Sequence, residues 1–262
     1  MAEAGDAPKR VIAGQATRLS RTMHDIRYDE PHDELWVPNP FANAVLVFRG
    51  GARGEEAPIR IIQGPKTQLA GPTRLDLDLL HDEVFVSAAG YLVAFPRTAR
   101  GDIPPLRMIR HRDIPSGDGN VAVDPINNVV VVGSRGRDGA SQPEGKLLIF
   151  NRTDNGNVEP IRVISGPNVD IVRITQLQTY PPKGWIIATM PGRSDVMEPH
   201  PVYVGIWHVH DNGNVPPRWK LGGQNTLLKK PRGVVLNAKY KELIVADMRL
   251  NAVLTYYFPE LF

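Results

Sequence analysis

The chain has no cysteine, which excludes a disulfide framework, a thiolate-bound zinc site and a cysteine nucleophile. It also lacks any apolar run of the roughly 18 residues that a membrane-spanning helix requires, so we expect no membrane span. The formal net charge is only +3, and the lysines and arginines are dispersed along the chain rather than gathered into a stripe. This dispersal argues against nucleic acid as the main partner.

Several motifs that would name a reaction are missing as well. The sequence contains no glycine-rich phosphate loop, no nucleophile elbow and no His-Glu-x-x-His helix. What the chain has instead is a repeated phrase that begins with proline, carries an arginine two residues later and, in most copies, ends in glycine. The five copies begin at Pro8, Pro58, Pro105, Pro160 and Pro216.

The arginines of these phrases are residues 10, 60, 107, 162 and 218, so the repeat period is 50, 47, 55 and 56 residues. This is close to the length of one blade of a β-propeller, about 40–50 residues. The first unit divides into four short strands, which we expect at Asp25–Asp29, Glu34–Asn39, Ala44–Phe48 and Pro58–Gly64. The corresponding first strand of the fourth unit is expected at Ile174–Gln178.

Strands such as Val129–Val132 and Trp185–Ala188 are apolar at consecutive positions, which indicates that both faces of each sheet are covered. Radially stacked blades satisfy this condition, whereas an immunoglobulin-type sandwich would leave one face in water. The chain begins with a fourth-strand phrase and stops after a third strand, Ala252–Tyr257. We therefore predict an all-β propeller of five four-stranded blades, closed by pairing of Val11–Ile12 with Val253–Tyr257.

Composition agrees with one domain over residues 1–262, with repeat units starting near 8, 58, 105, 160 and 216. At 42% hydrophobic residues, a chain of 262 residues can bury a substantial core without cross-links. Most of the 24 glycines and 24 prolines fall between the expected strands, where turns require them.

The repeated phrase, followed by a short loop and a strand such as Glu242–Asp247, resembles the NHL-type and gluconolactonase-like (SMP-30-like) group of β-propellers. The resemblance covers almost the whole chain and describes a blade rather than an activity. Together with the short segment Met1–Gly5, which looks like an added start on a processed protein, it implies a periplasmic or secreted location.

In a propeller, the first strand of each blade lines the central channel. The closing residues of the five units are aligned as Asp29, Asp78, Asp124, either Thr179 or Tyr180, and Asn237. This alignment places five residues near the channel mouth, with the fourth register open by one residue: His24, Thr73, Gly119, Thr175 and Arg232. The gluconolactonase-like enzymes hold a divalent cation there with a Glu, two Asn and an Asp. Since this chain has other residues at those positions, metal-dependent hydrolysis of a lactone or phosphoester is poorly supported.

Neighbouring oxygen donors could still bind calcium if the register differs by one residue. The candidates are Asp25, Asn39, Asn120 and Asp247, joined by Asp118 in the loop before the third unit. The alternative is that these side chains cap turns and strand ends.

His24 and Arg232 form a more informative pair, because the first and fifth blades are adjacent in a closed ring. Arginine beside histidine at a polar mouth suits a carboxylate, sulfate or phosphate. Long loops at Ser134–Gly145 and Pro191–Pro201 are expected on the same face. Their polar side chains are Arg135, Arg137, Arg193, Asp195, Glu198 and His200.

Two functions fit this pattern. The first is a non-catalytic propeller that binds a small polar or anionic ligand, a glycan or a protein at the channel mouth. Its expected ligand-binding residues are His24, Thr73, Arg135, Thr175, Arg193 and Arg232. The second is a hydrolase or lyase that acts on an anionic sugar or lactone, with His24 as the base and Arg232 as the anion clamp.

Overall fold

The computed structural model of the chain describes residues 7–117, 119–136, 144–193, 197 and 200–262. Within these ranges the strands form five sheets, and each sheet corresponds to one repeat unit. The predicted fold class, an all-β propeller of five blades, is confirmed.

The blades are numbered in chain order. Blade 1 contains β1 (Arg27–Asp29), β2 (Glu34–Asn39), β3 (Ala44–Arg49) and β4 (Arg60–Gln63). Blade 2 contains β5 (Arg74–Asp78), β6 (Glu83–Ala88), β7 (Tyr91–Pro96) and β8 (Arg107–Arg110). Blade 3 contains β9 (Asn120–Asp124), β10 (Val129–Ser134), β11 (Lys146–Asn151) and β13 (Arg162–Ser165), while the short β12 (Gly156–Asn157) pairs with β8. Blade 4 contains β14 (Gln176–Tyr180), β15 (Trp185–Met190), β16 (Tyr203–His208) and β17 (Trp219–Gly222). Blade 5 contains β18 (Pro231–Asn237), β19 (Glu242–Asp247) and β20 (Ala252–Tyr257).

The helices in the described ranges are 3₁₀ turns of three residues each. They are Gln15–Thr17, Pro65–Thr67, Pro167–Val169, Pro181–Lys183, Gln224–Thr226 and Pro259–Leu261. Three of them follow the glycine of a repeated phrase, which has a positive φ of 111–134°. A fourth follows Gly223, with φ 94°, one residue after the phrase that begins at Pro216. Only glycine adopts this backbone conformation without strain, which explains why the phrase ends in this residue. Across the described residues, the structure has no helix with the length and apolarity that a bilayer crossing demands.

The hydrophobic core consists of layers between successive blades. Trp36 and Ile62 of blade 1, for example, pack against Leu75 and Phe95 of blade 2. Equivalent layers join blades 2 and 3, blades 3 and 4, and blades 4 and 5. Blades 2, 3 and 4 therefore have both apolar faces covered, as the consecutive apolar residues of their strands predicted.

The arginine of the repeated phrase ties one blade to the next. Arg60 at the start of β4 donates to the carbonyl oxygen of Arg97 in blade 2, at 3.3 Å. Arg162 of blade 3 donates to the carbonyl oxygen of Val209 in blade 4, at 2.7 Å. Arg10, Arg60 and Arg162 reach the same position after the next third strand, so in these copies the arginine docks one blade on the next. Arg107 and Arg218 instead contact Glu83 and Asp211 of their own blades.

A second arginine tie runs in the opposite direction, at the end of the third strand. Arg152 of blade 3 contacts Glu83 of blade 2 at 2.7 Å and Asp78 at 3.4 Å. Arg97 of blade 2 contacts Glu34 at 3.6 Å and Asp29 at 3.8 Å in blade 1. The aspartates have no exposed surface, so the arginines neutralise charges that burial would otherwise make costly.

The predicted closure of the ring is not formed. Among the described strands, β20 pairs with β19 alone, so blade 5 shows three strands there rather than four. The segment with Val11 and Ile12 instead forms a parallel bridge from Ile12 to Gly54, and Arg10 donates to the carbonyl oxygen of Gly50 at 2.8 Å.

These are the contacts that other phrases make with the blade that follows them. Ile62 and Ile164 form the same parallel bridge to Gly101 and Gly213. The N-terminal phrase thus has the position of a fourth strand relative to blade 1, as predicted, but it lies away from β20. The sequence shows which blade follows the phrase along the chain. It does not show whether blades 5 and 1 come together.

An open seam consequently separates blade 5 from blade 1. On the blade 5 side, β20 alternates between half-buried and exposed residues, and Val253 and Tyr257 are 67% and 73% exposed. On the blade 1 side, residues Ile12, Leu19 and Met23 pack over the sheet and cover part of its apolar face.

Candidate functional site

The structure settles the register of the first strands. In blade 4, Tyr180 pairs with Trp185 as Asp29 pairs with Glu34 in blade 1. The fourth first strand is therefore Gln176–Tyr180, two residues later than the expected Ile174–Gln178, because a proline-rich turn follows it directly. Tyr180 is the equivalent of the closing aspartates, and Thr175 keeps its expected place at the start of the strand.

Three of the six predicted ligand-binding residues line the same cavity. His24, Thr175 and Arg232 surround a space of about 270 Å³ together with Met23, Arg74, Arg173 and Ile174. We call this space the arginine pocket. Three of the described residues in its lining are arginines, and none of the described lining residues is acidic, so this part of the pocket offers guanidinium groups to a ligand.

Arg74, at the start of β5, crosses the channel and organises the pocket. Its guanidinium donates to the carbonyl oxygens of His24 at 2.5 Å and Thr175 at 2.9 Å. It also contacts Asn120, whose amide donates to the carbonyl oxygen of Ile174 at 3.0 Å. One side chain of blade 2 therefore holds backbone from blades 1 and 4, which fixes the floor of the pocket.

A second arginine closes the channel below Arg74. Arg27 contacts Asp25 at 3.2 Å and Asp76 at 3.0 Å, and it donates to the carbonyl oxygen of Leu177 at 3.3 Å. Burial raises the pKa of Asp25 above its usual value, although Arg27 and Arg74 lower it in part. These ion pairs and hydrogen bonds join blades 1, 2 and 4 along the axis of the propeller.

The other residues of the pocket have defined local roles. Thr175 is buried, and its hydroxyl donates to the carbonyl oxygen of Pro231 at 3.1 Å, which joins blade 4 to blade 5. Arg232 is half-buried, and its Nε contacts the sulfur of Met248 at 3.5 Å. The imidazole of His24 is exposed, so it can approach a ligand in the mouth. The pocket can therefore supply cationic donors from arginine and one imidazole.

The structure places the remaining predicted ligand residues elsewhere. Thr73 and Arg135 line a separate cavity with Arg112 and Ser116. Arg193 follows β15 and is half-buried. The predicted cluster of six residues is thus divided, and only its His24, Thr175 and Arg232 part shares a cavity.

Much of the two long loops lies outside the described residues. This applies to Arg137, Asp195 and Glu198 and to Asp118 of the calcium hypothesis. His200 is described and lines another cavity with Lys220 and Arg249.

The predicted calcium ligands are each engaged in local hydrogen bonds. Asp247 accepts from the backbone nitrogens of four residues in the turns around it: Lys229, Lys230, Arg249 and Leu250. Asn39 bonds Ser20 and the carbonyl oxygen of Arg18, while Asp25 accepts from the backbone of Leu75. Among the described residues no group of three or more acidic or histidine side chains is arranged to hold a metal ion. Calcium binding remains a prediction.

Sequence reasoning missed the two channel arginines, Arg27 and Arg74, and also Arg173 of the pocket. A signal for the first two was present, because β5 reads Arg-Leu-Asp-Leu-Asp and β1 is preceded by Asp25. Polar residues at alternate positions of a channel strand point to the axis. Arg173 lies in a loop, where no strand period marks its direction.

Comparison with known proteins supports the architecture alone. No protein-family model matches the chain, and no curated protein matches it. Among solved structures it is similar to Kuenenia stuttgartiensis hydrazine synthase, with a TM-score of 0.58 and 13% sequence identity over 88% of this chain. The match spans 63% of that chain, and at this identity the likeness extends to the propeller fold.

Proposed function

We propose that this propeller binds a small anionic molecule, such as a sugar acid or another carboxylate, in the arginine pocket. The observation that carries the proposal is the lining of that pocket. Arg74, Arg173 and Arg232 come from three different blades or loops and meet around a cavity of about 270 Å³. A guanidinium presents paired donors that match the oxygens of a carboxylate or sulfate.

The rigidity of the pocket supports binding. Arg74 is held by backbone carbonyl oxygens on both sides of the channel, which use most of its N–H donors, so it supplies a fixed positive charge while Arg173 and Arg232 supply paired donors. A preorganised site spends less free energy on ordering side chains when it binds. The cavity approaches the lower end of the usual range for small-molecule sites, roughly 300–1,000 Å³. A monosaccharide acid is thus a suitable probe.

Titration calorimetry with glucuronate, and with glucose as its neutral counterpart, tests the proposal. We expect glucuronate to bind at least tenfold more tightly than glucose, and its affinity to fall as ionic strength rises. Replacing Arg232 by alanine should weaken glucuronate binding about 10- to 100-fold, since a hydrogen bond to a charged group contributes about 1.5–3 kcal/mol. Arg53→Ala, which removes an exposed charge of blade 1, is the matched control and should leave affinity within about twofold.

Equal affinity for glucose and glucuronate, or an unchanged affinity in Arg232→Ala, would contradict an anion site. The second candidate, hydrolysis or elimination at the channel, is favoured by the exposed imidazole of His24 in the same pocket. Incubation with a sugar lactone decides between the two. Product formation that is lost in His24→Gln would replace binding by catalysis. A glycan or protein ligand of the rim would be indicated if neither small molecule binds.

We also retain as proposals the relationship to the NHL-type and gluconolactonase-like propellers and an exported location. The phrase with its arginine tie supports the first, because the same interblade contact recurs through the chain.

A further inference from the structure

The seam between blades 1 and 5 encloses a second cavity of about 650 Å³, which we call the seam cleft. Its apolar lining comes from the N-terminal segment and from the face of blade 1. The residues that matter here are Ile12, Leu19, Met23, Ile26, Leu35 and Phe48. Ile26 is 57% exposed, so part of this lining contacts water in the unliganded protein.

The seam cleft and the arginine pocket are continuous. Met23, His24, Arg74, Thr175 and Arg232 line both of them. Arg173 belongs to the pocket end, whereas Leu35 and Phe48 belong to the cleft end. Arg10 and Asp25 also line the cleft, so the combined space changes from an arginine-rich end to a mostly apolar wall that carries one further arginine and one aspartate.

Such a gradient selects one kind of occupant. The three arginines favour a single negative charge at one end, while the apolar walls favour a body that leaves water. A sugar acid would satisfy the cationic end but would leave the apolar walls of the cleft hydrated. A neutral lipid would fill the cleft but would not use the guanidinium groups.

We infer that the ligand of the arginine pocket is an amphiphilic anion, with a carboxylate or sulfate head in the pocket and an alkyl body in the seam cleft. This inference rests on the proposed function and adds the chemical class of the ligand. The complementary distribution of charge and apolar surface along one continuous space supports it.

A series of straight-chain carboxylates measures the contribution of the cleft. Acetate, hexanoate and decanoate are titrated calorimetrically into the full chain, below the concentration at which decanoate forms micelles. Burial of one methylene contributes about 0.8 kcal/mol, which is about fourfold in affinity. Because the cleft is open on one side, we expect about two- to fourfold tighter binding for each added methylene until the cleft is filled.

A matched pair of variants locates the effect. Ile26→Asn places an amide in the cleft and should reduce decanoate affinity several-fold while leaving acetate affinity unchanged. Ile126→Asn makes the same change at a residue of similar exposure, 62%, in the turn between β9 and β10, and should leave both affinities unchanged. Since both isoleucines are exposed, we expect both variants to fold.

The outcomes separate the two proposals. If acetate binds and decanoate binds no more tightly, the anion site stands and the amphiphilic ligand is refuted. If decanol binds as tightly as decanoate and Arg232→Ala changes neither, the charged head is refuted, and the proposed function falls with it. If none of the carboxylates binds, both proposals fail.

Discussion

Replacing Arg152 by methionine tests the tie between blades 2 and 3. Arg152 is 7% exposed and contacts two buried carboxylates, those of Asp78 and Glu83. Removing one partner of a buried ion pair costs about 3–5 kcal/mol, because it leaves buried charge without compensation. Arg107 still contacts Glu83 and His81 still contacts Asp78, so we expect the lower end of this range, about 3 kcal/mol.

Methionine retains most of the apolar stem of arginine, so the loss reports on the charge rather than on a cavity. For a chain of this size, about 3 kcal/mol corresponds to a decrease in Tm of about 6–12 °C. Calorimetric melting and urea unfolding measure it, with Arg100→Met as the control at an exposed hairpin position. The control should remain within about 0.5 kcal/mol of the parent chain. A loss below about 1 kcal/mol in Arg152→Met would show that the carboxylates are adequately neutralised without it and would refute the argument.

Two further predictions concern the seam and the channel. Val253→Thr should change the free energy of unfolding by less than about 0.5 kcal/mol, because the residue is exposed. Val45→Thr, at the equivalent buried position of blade 1, should lower the free energy of unfolding by about 1–3 kcal/mol, because it buries a hydroxyl. Equal losses in urea unfolding would mean that the seam is closed in solution. Burial raises the pKa of Asp25 in the folded protein above its ordinary value of 3.8. Protonation of Asp25 therefore increases the free energy of unfolding. This contribution is fully present below pH 3.8 and is lost as the pH rises through the pKa of the folded state. Relative to Asp25→Asn, the parent chain should therefore lose unfolding free energy from pH 3.5 to 7 in urea titrations, and a gain over that range would contradict the assigned direction.

The blades could be predicted from sequence because each element of the repeat has a physical cause that acts locally. The phrase glycine has a positive φ, the consecutive valines of β10 are covered on both faces, and each interblade layer repeats the one before it. A period near 50 residues is sufficient to number the units. The same reasoning placed most strands in the correct blade, although β12 of the third unit pairs with β8 of blade 2.

The open seam and half of the residues of the arginine pocket could not be predicted from sequence patterns. Whether Val11–Ile12 pairs with β20 depends on the accumulated angle between five blades, which no local pattern encodes. The channel mouth was found through His24, Thr175 and Arg232, but Arg74 acts by reaching across the axis to blades 1 and 4. Contacts between distant blades of a ring depend on the diameter of the ring. Local sequence patterns indicate only how residues close together along the chain are arranged, so they did not predict these contacts.

The arginine ties also determine where the ring is weakest. Among the described residues, arginine ties join blade 1 to 2, blade 2 to 3 and blade 3 to 4, whereas blades 4 and 5 are joined by their apolar layer and by Thr175. Blades 1 and 5 each have one side that faces the seam. In an array with nearest-neighbour coupling, the end units open most readily. The seam cleft lies between these two units, so a ligand bound there would join the parts of the protein that open first. A ligand that binds only the folded protein stabilises it by mass action. Occupancy of the seam cleft would therefore raise the free energy needed to open blades 1 and 5, and the whole ring would unfold more cooperatively.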